Sequence, residues 1–289
     1  MQGKTVLEGR PRRVQSVRKW LATLLAVPAV ALGGDTAGAK ELRVGISESY
    51  APLAFSKDGK PTGAEADLAL AVGKILDSKI VFVPMKFPDL VPALEAGKVE
   101  VVMSGLSITE ERSKKVLFTD PYLRVGQMAL IRADDLGRSV DPDEIGAKES
   151  RVGVKKGTTG EGWAKKNVPD ATVVGYDTVE AGTAALKAGD IDYFVHDAPT
   201  VWRLTGRPNT RDDALAGIYR PLTKEYLAWA VRAGDEKLAG ELNGALKTLR
   251  ADGQLRAILD VWIPVTKVAV TEGSNTGAPQ PTAAPAVAE

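Results

Sequence analysis

The chain has 289 residues, of which 44% are hydrophobic and 26% charged, with 38 basic against 37 acidic side chains. This mix is typical of a globular protein and excludes collagen, a coiled coil or disorder as a description of the whole chain. Cysteine is absent and His196 is the single histidine, which excludes disulfides, thiolate zinc sites and cysteine nucleophiles. The carboxylate, hydroxyl, Arg/Lys and backbone chemistry that remains suits binding better than catalysis, and we expect no metal, no cofactor and no catalytic residue.

Residues 1–39 have the three parts of a secretory signal peptide. Six basic residues precede an apolar run from Trp20 to Gly34, and the small-residue site Ala37-Gly38-Ala39 follows it. The run contains Pro28 and is too short to span a hydrocarbon core of about 30 Å comfortably. We predict cleavage after the last of these alanines and export to the periplasm. An uncleaved membrane anchor is the alternative.

Removal of this segment takes away six basic and two acidic residues, which leaves 32 basic against 35 acidic side chains. The resulting acidic balance disfavours nucleic acid as a partner, because nucleic-acid binding needs concentrated positive charge. At the other end, residues 266–289 are rich in Ala, Pro, Thr and Gly. They offer too little apolar surface to offset their ordering entropy, and we predict a disordered tail.

Apolar periodicity predicts alternating strands and helices in the first half of the remaining chain. The predicted elements are a strand Leu42–Ile46, a helix Asp67–Leu76, a strand Ile80–Pro84, a helix Asp89–Ala96 and a strand Val99–Met103. This βαβαβ order is typical of a parallel sheet with helical crossovers.

The same order recurs in the second half. The predicted elements are a strand Arg151–Val154, a helix Glu161–Asn167, a strand Ala171–Tyr176, a helix Val179–Ala188 and a strand Ile191–Val195. Thr178 is the predicted N-cap and Gly189 the predicted C-cap of the second helix. A further strand, Tyr226–Arg232, precedes two helices whose apolar residues run from Leu238 to Leu249 and from Leu255 to Trp262.

The two halves also resemble each other in detail. Residues 93–100, ALEAGKVE, align with residues 185–192, ALKAGDID, at an offset of 92. The same offset places Gly105 opposite Asp197. Two similar α/β lobes would hold a ligand in the cleft at the carboxyl ends of their strands.

Six motifs then carry a family resemblance. They are LRVGISESYAPLAF (42–55), TGAEADLALAVGKIL (62–76), LVPALEAGKVEVVMSGLSITEERSKKVLFTDPY (90–122), VGVKKGTTGE (152–161), GDIDYFVHDAP (189–199) and NGALKTLRADGQLRAILDVW (243–262). In this order they resemble the polar amino-acid-binding proteins of bacterial ABC importers, family 3 of the solute-binding proteins. The resemblance implies an α/β chain with the type II periplasmic-binding-protein fold, in which two lobes close over a free amino acid and present it to a membrane permease.

The family pattern also implies the division of the chain. Lobe 1 would comprise residues 40–122 and 227–265, and lobe 2 residues 127–222. The hinges would be 123–126 and 223–226. A monomer is expected.

Arg112 is the central candidate for ligand binding. It falls in the first turn of a helix that begins near Glu110 with Thr109 as N-cap, and helical side chains lean back toward the N-terminus, here over the strand end. A guanidinium matches a carboxylate bidentately, and the resemblance implies that this arginine holds the ligand α-carboxylate. A solvated surface arginine in the charged run EERSKK is the alternative.

The resemblance assigns polar contacts to four further residues. Ser107 and Gly105 would meet the ligand headgroup, and Thr159, at a helix start that favours anions, would contact the carboxylate. Asp197 would accept the ligand α-ammonium. Turn or capping roles are the alternatives for Ser107, Thr159 and Asp197.

Two aromatic residues, Tyr50 and Phe87, fall where the family places rings against the ligand; core packing is their alternative role. Relatives that bind basic amino acids often carry an acid where this chain has Ser47. That makes a basic ligand less expected. We predict a structural His196 and a solvated Lys155.

Two other functions stay open from the sequence. An enzyme on this fold, such as a dehydratase of arogenate or prephenate, would need a general acid in the cleft, and nothing in the sequence singles one out. A ligand sensor for a membrane receptor would differ in its partner rather than in its site.

Overall fold

The computed structural model describes residues 40–136, 142–147, 149–206 and 209–263. The predicted signal peptide and tail lie outside the described residues. The strands are β1 Lys40–Ser47, β2 Ser49–Tyr50, β3 Ala54–Lys57, β4 Lys60–Thr62, β5 Ser78–Met85, β6 Val101–Ser107, β7 Val116–Phe118, β8 Leu123–Val125, β9 Gln127–Arg132, β10 Arg151–Lys155, β11 Thr172–Tyr176, β12 Tyr193–Asp197, β13 Leu215–Ile218 and β14 Glu225–Arg232. The helices are α1 Ala64–Ile75, α2 Leu90–Glu95, α3 Glu110–Ser113, α4 Thr159–Asn167, α5 Val179–Ala188, α6 Ala198–Gly206, α7 Glu236–Ala251 and α8 Gln254–Trp262. Short 3₁₀ turns span Phe87–Asp89, Ala133–Asp135 and Pro142–Gly146.

The first sheet has the order β5-β1-β6-β14-β7, and β8 also pairs with β14. Strands β1, β5 and β6 run parallel, as the βαβαβ order predicts, whereas β14 lies antiparallel to β6. The late strand β14 thus ties the end of the folded chain into the sheet built by its beginning. Helices α1, α2, α7 and α8 contribute leucines to one core around this sheet.

The second sheet has the order β11-β10-β12-β9-β13. Strands β10, β11 and β12 run parallel, and β9 and β13 are antiparallel additions. Apolar side chains of α5 and α6 pack on one face and those of α4 on the other. Two α/β lobes are therefore present, and the predicted fold class is confirmed.

Each predicted helix and strand is present, with ends shifted by a few residues. The caps Thr109 and Thr178 accept hydrogen bonds from the backbone as predicted, and Gly189 ends α5 in the left-handed conformation. The sequence patterns missed β2–β4, β7–β9, β13 and α6. Most of these strands have two to four residues, too few for a periodic signal.

The parallel strands of the two sheets place the candidate residues at their carboxyl ends. Ser47 ends β1, Ser107 ends β6 and Asp197 ends β12. Because ligands of α/β sheets bind outside the carboxyl ends of the strands, the fold itself selects these strand ends as the site. In the part of the chain described, no helix is both long and apolar enough to cross a bilayer.

Close packing in lobe 2 gives a stability prediction. A Cβ on Gly182 of α5 would lie 2.0 Å from Cε2 of Phe194, whereas a Cβ on Gly244 of α7 would meet no heavy atom within 4 Å. We expect Gly182→Ala to lower the free energy of unfolding by about 1–3 kcal/mol through overpacking. The control Gly244→Ala should raise it by about 0.5–1 kcal/mol, because alanine favours a helix. Urea denaturation measures both, and equal effects would contradict this packing.

Candidate functional site

Arg112 reaches across the two lobes. Its backbone N–H donates to Thr109 Oγ1 at 3.2 Å, which fixes the start of α3. The guanidinium donates from Nη1 to the Ser107 carbonyl at 2.9 Å and from Nη2 to the Gly157 carbonyl at 3.2 Å. Burial lowers the pKa of Arg112 from its ordinary value, and the nearby carboxylates of Asp197 and Glu225 oppose this. A guanidinium has five donors, so it retains donors for a ligand.

Asp197 is a buried carboxylate at the end of β12. It accepts hydrogen bonds from the Tyr50 hydroxyl and from the Gln127 side-chain amide. Burial and the negative charge of Glu225 raise its pKa to about 7, although the two hydrogen bonds and the charge of Arg112 act in the opposite direction. A cation placed beside Asp197 would favour its charged form.

Glu225, the first residue of β14, holds several of these groups together. Its Oε2 accepts from Ser107 Oγ at 2.6 Å and from Thr159 Oγ1 at 2.7 Å. Its Oε1 accepts from Thr223 Oγ1 at 2.7 Å and from Gln127 Nε2 at 3.1 Å. The two hydroxyls predicted to meet a ligand carboxylate thus meet a carboxylate of the protein itself.

Tyr50 and Phe87 form an edge-to-face pair with ring centroids 6.3 Å apart. Both rings are buried, and the Arg112 guanidinium carbon lies 5.6 Å from the Phe87 centroid. The pair therefore adjoins Arg112, and its contact with a ligand stays a prediction. His196 packs against the Tyr50 ring at 5.2 Å and stacks on Phe194, and its Nδ1 accepts from the Asp197 N–H.

Lys155 contradicts the prediction of a solvated side chain. It is 1% exposed, and its Nζ donates to the Ser49 carbonyl at 2.8 Å. The ammonium lies 5.4 Å from the Phe87 centroid and 5.7 Å from that of Tyr50. The reason is tertiary: the β1–β2 region of lobe 1 covers the end of β10.

A second buried carboxylate, Glu65, lies beneath the candidate residue Gly105. It accepts hydrogen bonds from the Gly105 N–H, the Tyr122 hydroxyl and Trp229 Nε1. Burial raises the pKa of Glu65 to about 7 against these three donors. Gly105 has a φ of 65°, and a Cβ there would lie 2.6 Å from Cε1 of Tyr50. Only glycine fits here without strain.

Ser47 lies at the edge of this group. It is buried, its N–H donates to Ser104 Oγ at 2.9 Å, and its Oγ accepts from the Ser49 N–H at 3.3 Å. The structure therefore gathers Arg112, Asp197, Ser107, Thr159, Tyr50 and Phe87, with Gly105 and Ser47 at the strand ends beside them.

Sequence reasoning missed Gln127, Glu225 and Lys155 as site residues. Gln127 directly follows the first predicted hinge segment and Glu225 lies within the second, and that position was the available signal. A separate cavity of about 350 Å³ lies in lobe 2, between α4 and the chain before β14, lined by residues such as Trp163 and Leu222. None of the candidate residues lines it.

Two α/β lobes with charged and aromatic groups at their facing strand ends define a binding protein with the type II periplasmic fold. Residues 42–265 match the family model of bacterial extracellular solute-binding proteins, family 3. The chain belongs to this family.

Curated relatives and solved structures agree with this assignment. The chain is 31% identical to the L-cystine-binding protein of Escherichia coli over 222 residues, covering 76% of this chain and 82% of that protein. It is 30% identical to an arginine-binding protein of an Escherichia coli ABC transporter, over 78% of this chain and 92% of that protein. A crystal structure of an ancestral amino acid-binding protein, described as a precursor of cyclohexadienyl dehydratase, is similar with a TM-score of 0.71 and 33% identity. The match covers 77% of this chain and 95% of that one. The structure of a binding component of an ABC transporter from Wolinella succinogenes, complexed with lysine, is similar with a TM-score of 0.72 and 29% identity. The match covers 78% of this chain and 97% of that one.

Proposed function

We propose that this chain is an exported protein that captures a free amino acid between its lobes and delivers it to the membrane permease of an ABC importer. The observation that carries the proposal is the pair Arg112 and Asp197. Arg112 is a cation of lobe 1 in α3, just beyond the end of β6, and Asp197 is a buried carboxylate of lobe 2 at the end of β12. Opposite charges on the facing sides of the two lobes are complementary to an amino-acid zwitterion. The relatives named above support the same ligand class.

In this proposal the ligand α-carboxylate binds the free donors of Arg112 and the α-ammonium binds Asp197. Tyr50 and Phe87 contact the ligand side chain and exclude water, which strengthens the charged contacts. The hydroxyls of Ser107 and Thr159 could donate either to the ligand carboxylate or to Glu225. Each hydroxyl has one proton to donate, so a ligand carboxylate competes for it with Glu225. Gly105 and Ser47 shape the wall beside them.

Closure of the lobes is the second part of the proposal. Lobe 1 would comprise 40–122 and 227–265, and lobe 2 127–222, joined by the antiparallel segments 123–126 and 223–226. Val125 of β8 pairs with Glu225 of β14, which supports these as the crossing segments. Because closure is favoured only by contacts that the open form lacks, the permease would recognise the liganded, closed shape.

Export and assembly complete the proposal. Residues 1–39 would be removed as a signal peptide, and the protein would act as a periplasmic monomer without a catalytic residue. A dehydratase of the same fold is the competing function. It predicts turnover of arogenate or prephenate rather than stable binding of a common amino acid.

A thermal-shift screen tests the proposed function. The protein is purified from a periplasmic extract, refolded from guanidinium to remove carried-over ligand, and heated with each of the twenty amino acids, arogenate and prephenate. A ligand at 1,000 times its dissociation constant stabilises the folded state by about 4 kcal/mol, a shift of several degrees. We expect such a shift with one or a few amino acids and no turnover. No shift with any amino acid, or release of product from arogenate, would contradict the proposal.

A further inference from the structure

Lys155 places a buried positive charge where the ligand side chain is expected. Its ammonium lies between 5 and 6 Å from both aromatic centroids, at 5.4 Å from Phe87 and 5.7 Å from Tyr50. Its neighbour Lys156, by contrast, is half exposed and pairs with Asp177 at 2.9 Å on the surface. The two lysines thus have opposite environments although they are adjacent in sequence.

The hydrogen bonding of Lys155 is incomplete. An ammonium has three donors, and among the described residues Nζ bonds only the Ser49 carbonyl, with no carboxylate oxygen within 4.0 Å. Burial lowers the pKa of Lys155 to about 8, while the more distant charges of Glu180 and Asp197 oppose this. A buried cation without a paired anion is costly, so an anion beside Lys155 would be stabilised.

The other charged groups of the cleft are already matched. Glu225 accepts four hydrogen bonds on its two oxygens. In the proposed function Arg112 and Asp197 pair with the α-carboxylate and the α-ammonium. Lys155 is then the charge that remains for the side chain of the ligand.

We infer that Lys155 selects an amino acid whose side chain carries a carboxylate, of the class of glutamate and aspartate. The inference rests on the proposed function, since it takes the α-groups to be held by Arg112 and Asp197. A lysine or arginine ligand would bring a second cation against Lys155 beside the same rings, and like charges in a buried site repel strongly. Under this inference the chain differs in specificity from the relatives named above as arginine-binding or complexed with lysine.

Isothermal titration of three proteins tests the inference: the wild type, Lys155→Met and the matched control Lys156→Met. Glutamate and glutamine are compared because they have the same shape and differ in charge, and lysine and arginine are the basic probes. We expect the wild type to bind glutamate at least about 30-fold more tightly than glutamine, from the cost of losing one partner of a buried charge pair. Lys155→Met should bring that ratio close to one and strengthen the binding of the basic probes. Lys156→Met should leave the ratio unchanged.

Three outcomes would overturn the inference. They are a wild type that prefers glutamine, lysine or arginine, a Lys155→Met protein with an unchanged glutamate-to-glutamine ratio, and a control that changes it equally. Lys155→Gln, which keeps a polar side chain, serves as a second variant, and the wild-type ratio needs no variant at all. A wild type that binds no amino acid would instead overturn the proposed function, so the two failures are distinguishable.

Discussion

Replacing Arg112 by alanine is expected to weaken binding of the ligand amino acid by about 30- to 5,000-fold. Removal of one partner of a buried, hydrogen-bonded charge pair costs about 2–5 kcal/mol, and each 1.4 kcal/mol is about tenfold in affinity. Part of this cost falls on the ligand α-carboxylate, which would stay buried without its cation. Because the guanidinium also bonds the Gly157 carbonyl of lobe 2, the variant loses a contact that favours closure. Isothermal titration at pH 7 measures the change.

Two further variants make this test specific. Arg112→Lys keeps the charge but has no planar fork, so we expect an intermediate loss. Arg211→Ala removes an exposed arginine that is paired with Asp213 at 2.6 Å on the surface, and its affinity should match the wild type. Undiminished affinity in a folded Arg112→Ala protein would show that the ligand carboxylate binds elsewhere.

The sequence predicted the frame of the site because local signals define it. The carboxyl ends of β6, β10 and β12 follow apolar strand patterns, and the starts of α3 and α4 follow threonine caps. Together these place Arg112 and Asp197 near the carboxyl ends of strands, one in each lobe, before any contact is known. The strand–helix order placed both residues near strand ends, and the family resemblance singled them out as the oppositely charged candidates.

The missed residues depend on contacts distant in the chain. Lys155 donates a hydrogen bond to a carbonyl 106 positions away in the chain. Glu225 accepts one from Ser107, 118 positions away. Locally, KKGTT is an ordinary charged turn, and Glu225 stands next to a lysine in a short polar stretch. Neither residue differs from a solvated one until the lobes are assembled, so periodicity and capping carry no signal for them.

The same contacts place two carboxylates close enough to repel each other when no ligand is bound. Asp197 and Glu225 accept hydrogen bonds from one amide, that of Gln127. Their mutual repulsion contributes to the raised pKa of Asp197. An α-ammonium beside Asp197 relieves this repulsion, so binding and the ionisation of Asp197 are coupled.

Replacing Asp197 by asparagine should therefore change binding and stability in opposite directions. The pKa of Asp197 is raised from 3.8 to about 7 in the folded protein, so the folded state keeps its proton longer than the unfolded chain does. This group contributes stability that is full below pH 4 and is lost as the pH rises through 7. Asp197→Asn removes that loss. The ligand-free variant should be more stable than the wild type at pH 8, by at most about 4 kcal/mol, and the difference should vanish toward pH 4.

Binding should show the reverse pattern, because the α-ammonium needs an ionised partner. Wild-type affinity should rise by up to about tenfold per pH unit below pH 7 and level off above it. The variant should bind about 30-fold more weakly at pH 8 and lose this pH dependence. Asp213→Asn, at an exposed surface carboxylate, is the control and should retain both the affinity and its pH profile. Titrations from pH 5 to 8 together with urea denaturation decide the matter. A wild-type affinity that is flat over this range would exclude Asp197 as the ammonium partner.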